Sequence, residues 1–260
     1  MRIKLTLNLA ADRRNGSVLP LRYQKNLLAG IGALLREVEK EWDSANNIIT
    51  TVHRRRLKLL TFSHLMLPFG GWRIEEDRIK LLSNQLGLVL NIYTKLPEEK
   101  VAKLFENQML RIYDANSRAA FWVSKVQLLN EAVEDETMEF KTLSPLVMSR
   151  KDDDFDDVVV SPTDSTFEKS VVNNLLEKYA EAYKNIPNDW LNYPYKLEVV
   201  PDTVKPRKIY IKTENPSQSL ISGYDCKFKL HAPKELLKFG LQSGFGKKNA
   251  MGFGCVEAIQ

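Results

Sequence analysis

Arg2-Ile-Lys-Leu-Thr-Leu-Asn-Leu9 sets Ile3, Leu5, Leu7 and Leu9 against Arg2, Lys4, Thr6 and Asn8. A strict period of two describes a strand with one face in a core and the other in solvent. Outward from it come an Asn15-Gly16 turn and Pro20, and then Leu27, Leu28, Ile31, Leu34, Leu35 and Val38 at helical spacing. That spacing predicts an amphipathic helix over about residues 22–41. The run Leu57 to Leu65 reads as a second strand, the segments 78–83 and 86–93 as a hairpin, and Pro97 opens a helix bearing Val101, Leu104 and Phe105. Strand, helix, strand, strand, helix is most of a split βαβ unit.

The second half repeats that order more loosely. A strand runs through Phe140, and Phe167, Val171, Val172, Leu175, Leu176, Tyr179 and Tyr183 mark a long amphipathic helix, capped by Ser165 or Thr166. Lys208 to Lys212 reads as the next strand. Cys226, Phe228 and Leu230, alternating with Lys227, Lys229 and His231, form another, leading to a short helix at Pro233 and a last strand within Gly252 to Ala258. The fold class is α+β, with two halves that are each an antiparallel sheet carrying helices on one face. The expected domains are residues 1–130 and 131–260.

A chain of 260 residues, 43% hydrophobic, with a formal net charge of +5, suits a soluble globular protein of one or two domains. It has no apolar run of about 18 residues, and its first segment alternates in polarity, so neither a membrane span nor a secretion signal is expected. Cys226 and Cys255 are too few for a disulfide framework and read as buried thiols in strands, which fits a reducing cytoplasm. Between residues 131 and 157, ten carboxylates face three cations, a net of −7 that leaves +12 on the rest. Such separation fits either a basic surface turned to a polyanion or loops solvated by scattered charge.

Residues 244–254 read Gly-Phe-Gly-Lys-Lys-Asn-Ala-Met-Gly-Phe-Gly. Glycines this dense are costly in conformational entropy, so the backbone must turn tightly or approach something closely. Glycine amides can cradle phosphate, with Lys247 and Lys248 adding charge. A hairpin loop with solvated lysines is the plainer alternative. The spacing is neither a Walker loop nor a dinucleotide fingerprint, since Asn249 stands where the latter needs glycine. His53, His64 and His231 are well separated and lack partners for zinc. Neither cofactor nor metal is expected.

Glu235-Leu-Leu-Lys-Phe-Gly240, followed by Gly-Phe-Gly, five residues and Gly-Phe-Gly, resembles the CRISPR RNA-processing endoribonucleases of the repeat-associated mysterious protein superfamily. Leu19-Pro20 before Tyr23-Gln24, Lys58-Leu-Leu-Thr-Phe-Ser63, Phe140-Lys-Thr-Leu-Ser-Pro-Leu146 and Asn174-Leu-Leu-Glu-Lys-Tyr179 resemble that family's other recurring stretches, in its order. The resemblance implies tandem ferredoxin-like (RRM-like) domains, the second with the glycine-rich loop 240–254. It also implies metal-independent cutting of CRISPR repeat RNA in a precursor transcript, releasing guide RNAs. In that chemistry a ribose 2′-OH attacks the neighbouring phosphorus in line and leaves a 2′,3′-cyclic phosphate, so the protein supplies geometry, proton transfer and charge. The alternative is a catalytically weak or inactive repeat-binding subunit of an effector complex. The partners implied are the repeat RNA and such a complex, without a membrane, and a homodimer is left open.

By the same resemblance Lys58 falls on the family's lysine position and would stabilise the phosphorane. His53 reaches the histidine position across a one-residue gap and would move the proton, an imidazole pKa near 6.5 suiting neutral pH. Some members carry a tyrosine where this helix reads Ile31-Gly32, so Tyr23 is the candidate third group, or else a packing residue. Candidate RNA contacts are Arg54, Arg55 and Arg56 beside the proposed site, Lys227 and Lys229 on one strand face, and Gly244, Gly246, Lys247, Lys248, Asn249, Gly252 and Gly254 in the loop.

Overall fold

The computed structural model describes residues 1–10, 12, 15–46, 59–94, 96–151, 157–212 and 218–259. The first half runs β1 (Arg2–Leu9), β2 (Val18–Pro20), α1 (Gln24–Asn46), β3 (Leu60–Phe62), β4 (Trp72–Glu75), β5 (Arg78–Leu81), β6 (Gln85–Ile92), α2 (Glu98–Lys103), β7 (Met109–Tyr113) and β8 (Arg118–Leu128). The second runs β9 (Thr137–Thr142), β10 (Ser149–Lys151), β11 (Asp157–Val159), α3 (Phe167–Tyr183), β12 (Lys196–Val199), β13 (Lys205–Lys212), β14 (Gln218–Asp225), β15 (Lys227–His231), α4 (Lys234–Ser243) and β16 (Val256–Ile259).

The main sheets have strand orders β3-β6-β1-β8-β7 and β12-β15-β9-β16, and every neighbouring pair within them is antiparallel. With α1, α2 and α3, α4 as crossovers, each is a split βαβ unit, so the fold is a tandem of ferredoxin-like domains. Alternation in β1 buries Ile3, Leu5 and Leu7, and α1 lays Leu27, Ile31, Leu34 and Val38 into the same core. A second core gathers Phe140, Val171, Leu175, Phe228, Leu230, Leu236 and Phe245. Leu59, just before β3, is buried in that second core rather than the first. Among the described residues no helix is long and apolar enough to cross a membrane.

Several expectations are corrected. Segment 78–83 does not pair with 86–93. Instead β5 turns back on β4 through Glu76 and Asp77, forming a separate three-stranded sheet of order β2-β5-β4. The strand at Lys208–Lys212 is not in the second main sheet either. It is the first arm of a two-stranded hairpin with β14, and the sheet position belongs to the short β12. At the start of α3 neither Ser165 nor Thr166 supplies a capping side-chain bond; Asp164 Oδ1 accepts the Thr166 amide at 2.8 Å and its hydroxyl at 2.7 Å.

Candidate nucleic-acid interface

Residues 244–254 fold into a compact loop between α4 and β16. Gly244, Gly246, Gly252 and Gly254 all have positive φ, between 68° and 83°, a region glycine enters freely. Close packing also demands them. A Cβ on Gly252 would stand 2.3 Å from the Phe62 ring, and one on Gly254 would stand 1.8 Å from the Phe245 carbonyl oxygen. Phe245 and Phe253 are driven inward, each almost fully buried. Their carbonyls are bridged by Asn249, whose Nδ2 donates to both at 3.0 Å.

The loop encloses a cation. Lys178, on α3, donates from Nζ to the Gly244 carbonyl, to Asn249 Oδ1 at 3.2 Å and to the Gly246 carbonyl at 3.4 Å. Burial pushes its pKa down to about 7, although these three oxygens favour the ammonium form. One residue on, the Tyr179 hydroxyl donates to Glu235 Oε1 at 2.5 Å and ties α3 to α4.

The other face of the loop grips the first half. Thr61 Oγ1 donates to the Phe253 carbonyl at 2.8 Å, Phe62 covers Gly252, and the single turn Asn249–Met251 touches both α1 and β3. The Gly254 amide donates to the Pro145 carbonyl at 2.8 Å and the His64 amide to the Leu143 carbonyl at 3.0 Å. Thus the described parts of three other recurring stretches, 59–63, 140–146 and 174–179, meet the C-terminal stretch at its glycine loop. Elsewhere along the junction Arg2 donates to the Val256 carbonyl at 2.5 Å and Asn91 to the Leu241 carbonyl at 2.7 Å, and Arg2 also pairs with Glu131.

The site residues expected from sequence divide sharply. His53, Arg54, Arg55, Arg56 and Lys58 lie outside the described residues. The glycines serve packing: the amides of Gly244, Gly252 and Gly254 donate to Gly240, Asn249 and Pro145 and are unavailable to a phosphate. Asn249 is buried inside the loop for the same reason. Lys247 donates to Ser149 Oγ at 3.0 Å, whereas Lys248 is exposed, in the left-handed region at φ 61°, a conformation costing a residue with a Cβ on the order of 1 kcal/mol. Tyr23 is a core residue. Its hydroxyl accepts the Leu65 amide at 3.1 Å, and burial pushes its pKa up to about 12.

Lys227 and Lys229 stand on the open face of the second sheet, but Lys229 lies between Glu198 and Glu139 across the neighbouring strands. That face interleaves both signs. The sequence reading missed the β13–β14 hairpin, which reaches α1 and exposes Lys205, Arg207 and Lys208. Arg207 pairs with Asp225 at 2.6 Å, and both act on the half-buried His64, whose pKa is lowered mainly by burial and raised in opposition by Asp225. Cys226 and Cys255 are buried thiols, each pushed up to about 12 by burial, which leaves them inert.

Two ferredoxin-like units clasped by a C-terminal glycine loop define the class of this protein. Residues 129–258 match the family model described as CRISPR associated protein Cas6, C-terminal, and the chain belongs to that family. The CRISPR-associated endoribonuclease Cas6 1 of Methanocaldococcus jannaschii is 25% identical over 264 residues, spanning 100% of this chain and 95% of the relative. A CRISPR-associated endoribonuclease-like protein Cas6 of Pyrococcus furiosus is 27% identical over 270 residues, spanning 100% and 99%. Among solved structures, the product of a Cas6-related gene from Pyrococcus furiosus superposes with a TM-score of 0.76 at 23% identity, covering 100% of this chain and 98% of the other. An RAMP protein binding different RNA substrates superposes with a TM-score of 0.74 at 22% identity, covering both chains fully. These two carry the fold.

Proposed function

We propose that this chain binds CRISPR repeat RNA and cuts it within the precursor transcript by metal-independent transesterification, with His53 moving the proton and Lys58 stabilising the phosphorane. The observation that carries this reading is the grip of the glycine loop on α1 and β3, since the segment holding His53 and Lys58 connects those two elements. A frame that holds both flanking elements favours in-line geometry, the main contribution a protein makes when the nucleophile belongs to the substrate. Arg54, Arg55 and Arg56 on the same segment, Lys248 on the loop and the hairpin cations Lys205 and Lys208 supply charge for phosphates. The two domains of this reading are residues 1–130 and 131–260.

Incubating the purified protein with repeat RNA in chelator tests the proposal. A product ending in 2′,3′-cyclic phosphate is expected, and a 2′-deoxy nucleotide 5′ to the scissile phosphate should abolish cutting while leaving binding nearly intact. Undiminished cleavage of the deoxy substrate overturns the mechanism. A second reading, a repeat-binding subunit of an effector complex without turnover, is favoured by one observation: the Tyr23 hydroxyl is buried and engaged, so no tyrosine near the start of α1 is free to act as a third group. Tight binding without a cyclic-phosphate product would select it.

A further inference from the structure

The small sheet β2-β5-β4 ends in an edge strand, β4, that pairs with no further strand among the described residues. All four residues of β4 are exposed. Ile74 and Trp72 lie across from Ile79 and Leu81 on one face of the sheet. Ile79 and Leu81 are buried in the first core, whereas Ile74 is 56% and Trp72 40% exposed, because β4 carries the apolar face beyond the edge of that core. Phe69, three residues before β4, is fully exposed, and Leu82, just past β5, is exposed as well.

The peptide groups of β4 also face outward. The Leu81 amide donates to Ser17, on the β2 side, at 2.8 Å, and Pro20, which has no amide, lies opposite Arg78. Alternation then assigns the peptide groups of Arg78 and Lys80 to β4, where they pair with Glu75 and Arg73. The groups of Trp72 and Ile74 are left pointing away from the sheet, an open template for another strand.

We infer that β4 pairs antiparallel with β4 of a second copy of this chain about a two-fold axis at Ile74, joining the two small sheets into one. In that register Ile74 exchanges both backbone bonds with Ile74 of the partner subunit. Arg73 then faces Glu75 of the partner subunit, and the symmetric contact repeats it. The strand is thus complementary to itself in shape, hydrogen bonding and charge, as an isologous contact requires. RNA is the less suitable occupant, since Arg73 and Glu75 already pair at 2.5 Å and Glu76 and Asp77 follow them. The site is also remote from the junction. The Leu9 amide donates to Asn84, so the turn after β5 lies at the Leu9 end of β1, roughly 23 Å along that strand from the Arg2 contact with the second half.

Sedimentation of the purified full chain at micromolar concentration should give a dimer. Ile74→Lys, which puts two ammonium groups on the axis, should give monomer. Arg73→Glu should weaken the dimer about tenfold or more by replacing two attractions with two repulsions, and adding Glu75→Arg should restore it. Oxidised Ile74→Cys should form a covalent dimer, because a hydrogen-bonded pair sets Cα atoms about 5.5 Å apart, while Trp72→Cys, similarly exposed but displaced from the axis, should not. A parental chain that stays monomeric, or a dimer indifferent to Ile74→Lys, overturns the inference. So does loss of RNA affinity in Ile74→Lys at unchanged mass, which would make the face an RNA surface.

Discussion

Lys178 Nζ stands 3.2 Å from Asn249 Oδ1, inside a loop whose own amides are largely spent on holding it together. The pair joins the long helix of the second half to the turn that touches α1 and β3. The Lys178 side chain therefore helps to organise the glycine loop.

This arrangement gives stability a definite pH dependence. Lys178 titrates near 7 when folded and, as an ordinary lysine, at about 10.4 when unfolded. Between those values the unfolded chain binds more protons, so stability should climb with pH by up to about 1.4 kcal/mol per unit and flatten below pH 7. Denaturant titrations at neutral and alkaline pH check this. Lys178→Met should abolish the climb and, by leaving buried oxygens without a donor, cost about 1–3 kcal/mol at neutral pH. An equal climb in the variant would place its source elsewhere.

Gly252→Ala should be among the most damaging small changes in the chain. Its new methyl meets the Phe62 ring at 2.3 Å, and the φ of 83° is strained for alanine. A loss exceeding about 2 kcal/mol is expected in thermal or denaturant unfolding. RNA cleavage by the surviving folded fraction should fall as well, since Phe62 lies on the strand that follows Lys58. Gly70→Ala, also at positive φ but with open space around it, separates backbone strain from the clash.

Lys248→Gly should separate folding from RNA binding in opposite directions. It relieves the left-handed strain at φ 61° and raises stability by about 0.5–1 kcal/mol, while removing an exposed cation. The salt dependence of RNA affinity should then lose about 0.7 from its logarithmic slope. Lys247→Ala should change that slope less, because Ser149 already holds its ammonium. Equal slopes for the parent and Lys248→Gly would remove Lys248 from the interface.

His53→Ala should lower the single-turnover cleavage rate by roughly 10²-fold or more and repeat affinity far less, since a proton-transferring group acts in the transition state. Arg55→Ala should show the opposite balance, losing affinity and losing rate only below saturation. A parental rate for His53→Ala under saturating protein would take His53 out of the mechanism.

What was legible in the sequence was whatever repeats locally. The alternation of β1 and of β15 and the helical stripe of α1 each follow from one residue and its near neighbours. Sheet membership does not: β12 is four residues long, too short to show a period, while the longer Lys208–Lys212 run belongs to a hairpin that leaves the main sheet. The glycine loop was visible as an oddity, but its purpose depends on Thr61 and Phe62, and Thr61 is 192 positions from the carbonyl it holds. One signal was available for Lys178. It follows Leu175 by three on the buried stripe of α3, so a lysine stands where the helix period asks for an apolar residue.

The junction hydrogen bonds from Arg2, Thr61 and Asn91 all end on main-chain carbonyls, at Val256, Phe253 and Leu241. At these three points the first half reads the path of its neighbour's backbone, while Leu59 in the second core and the Arg2–Glu131 pair read its side chains. A C-terminal half from another family member, grafted after residue 130, should dock if it keeps the course of α4 and the glycine loop, the apolar residues around Leu59 and a carboxylate at position 131. The RNA-facing residues of the two halves are in that sense exchangeable parts on a fixed coupling.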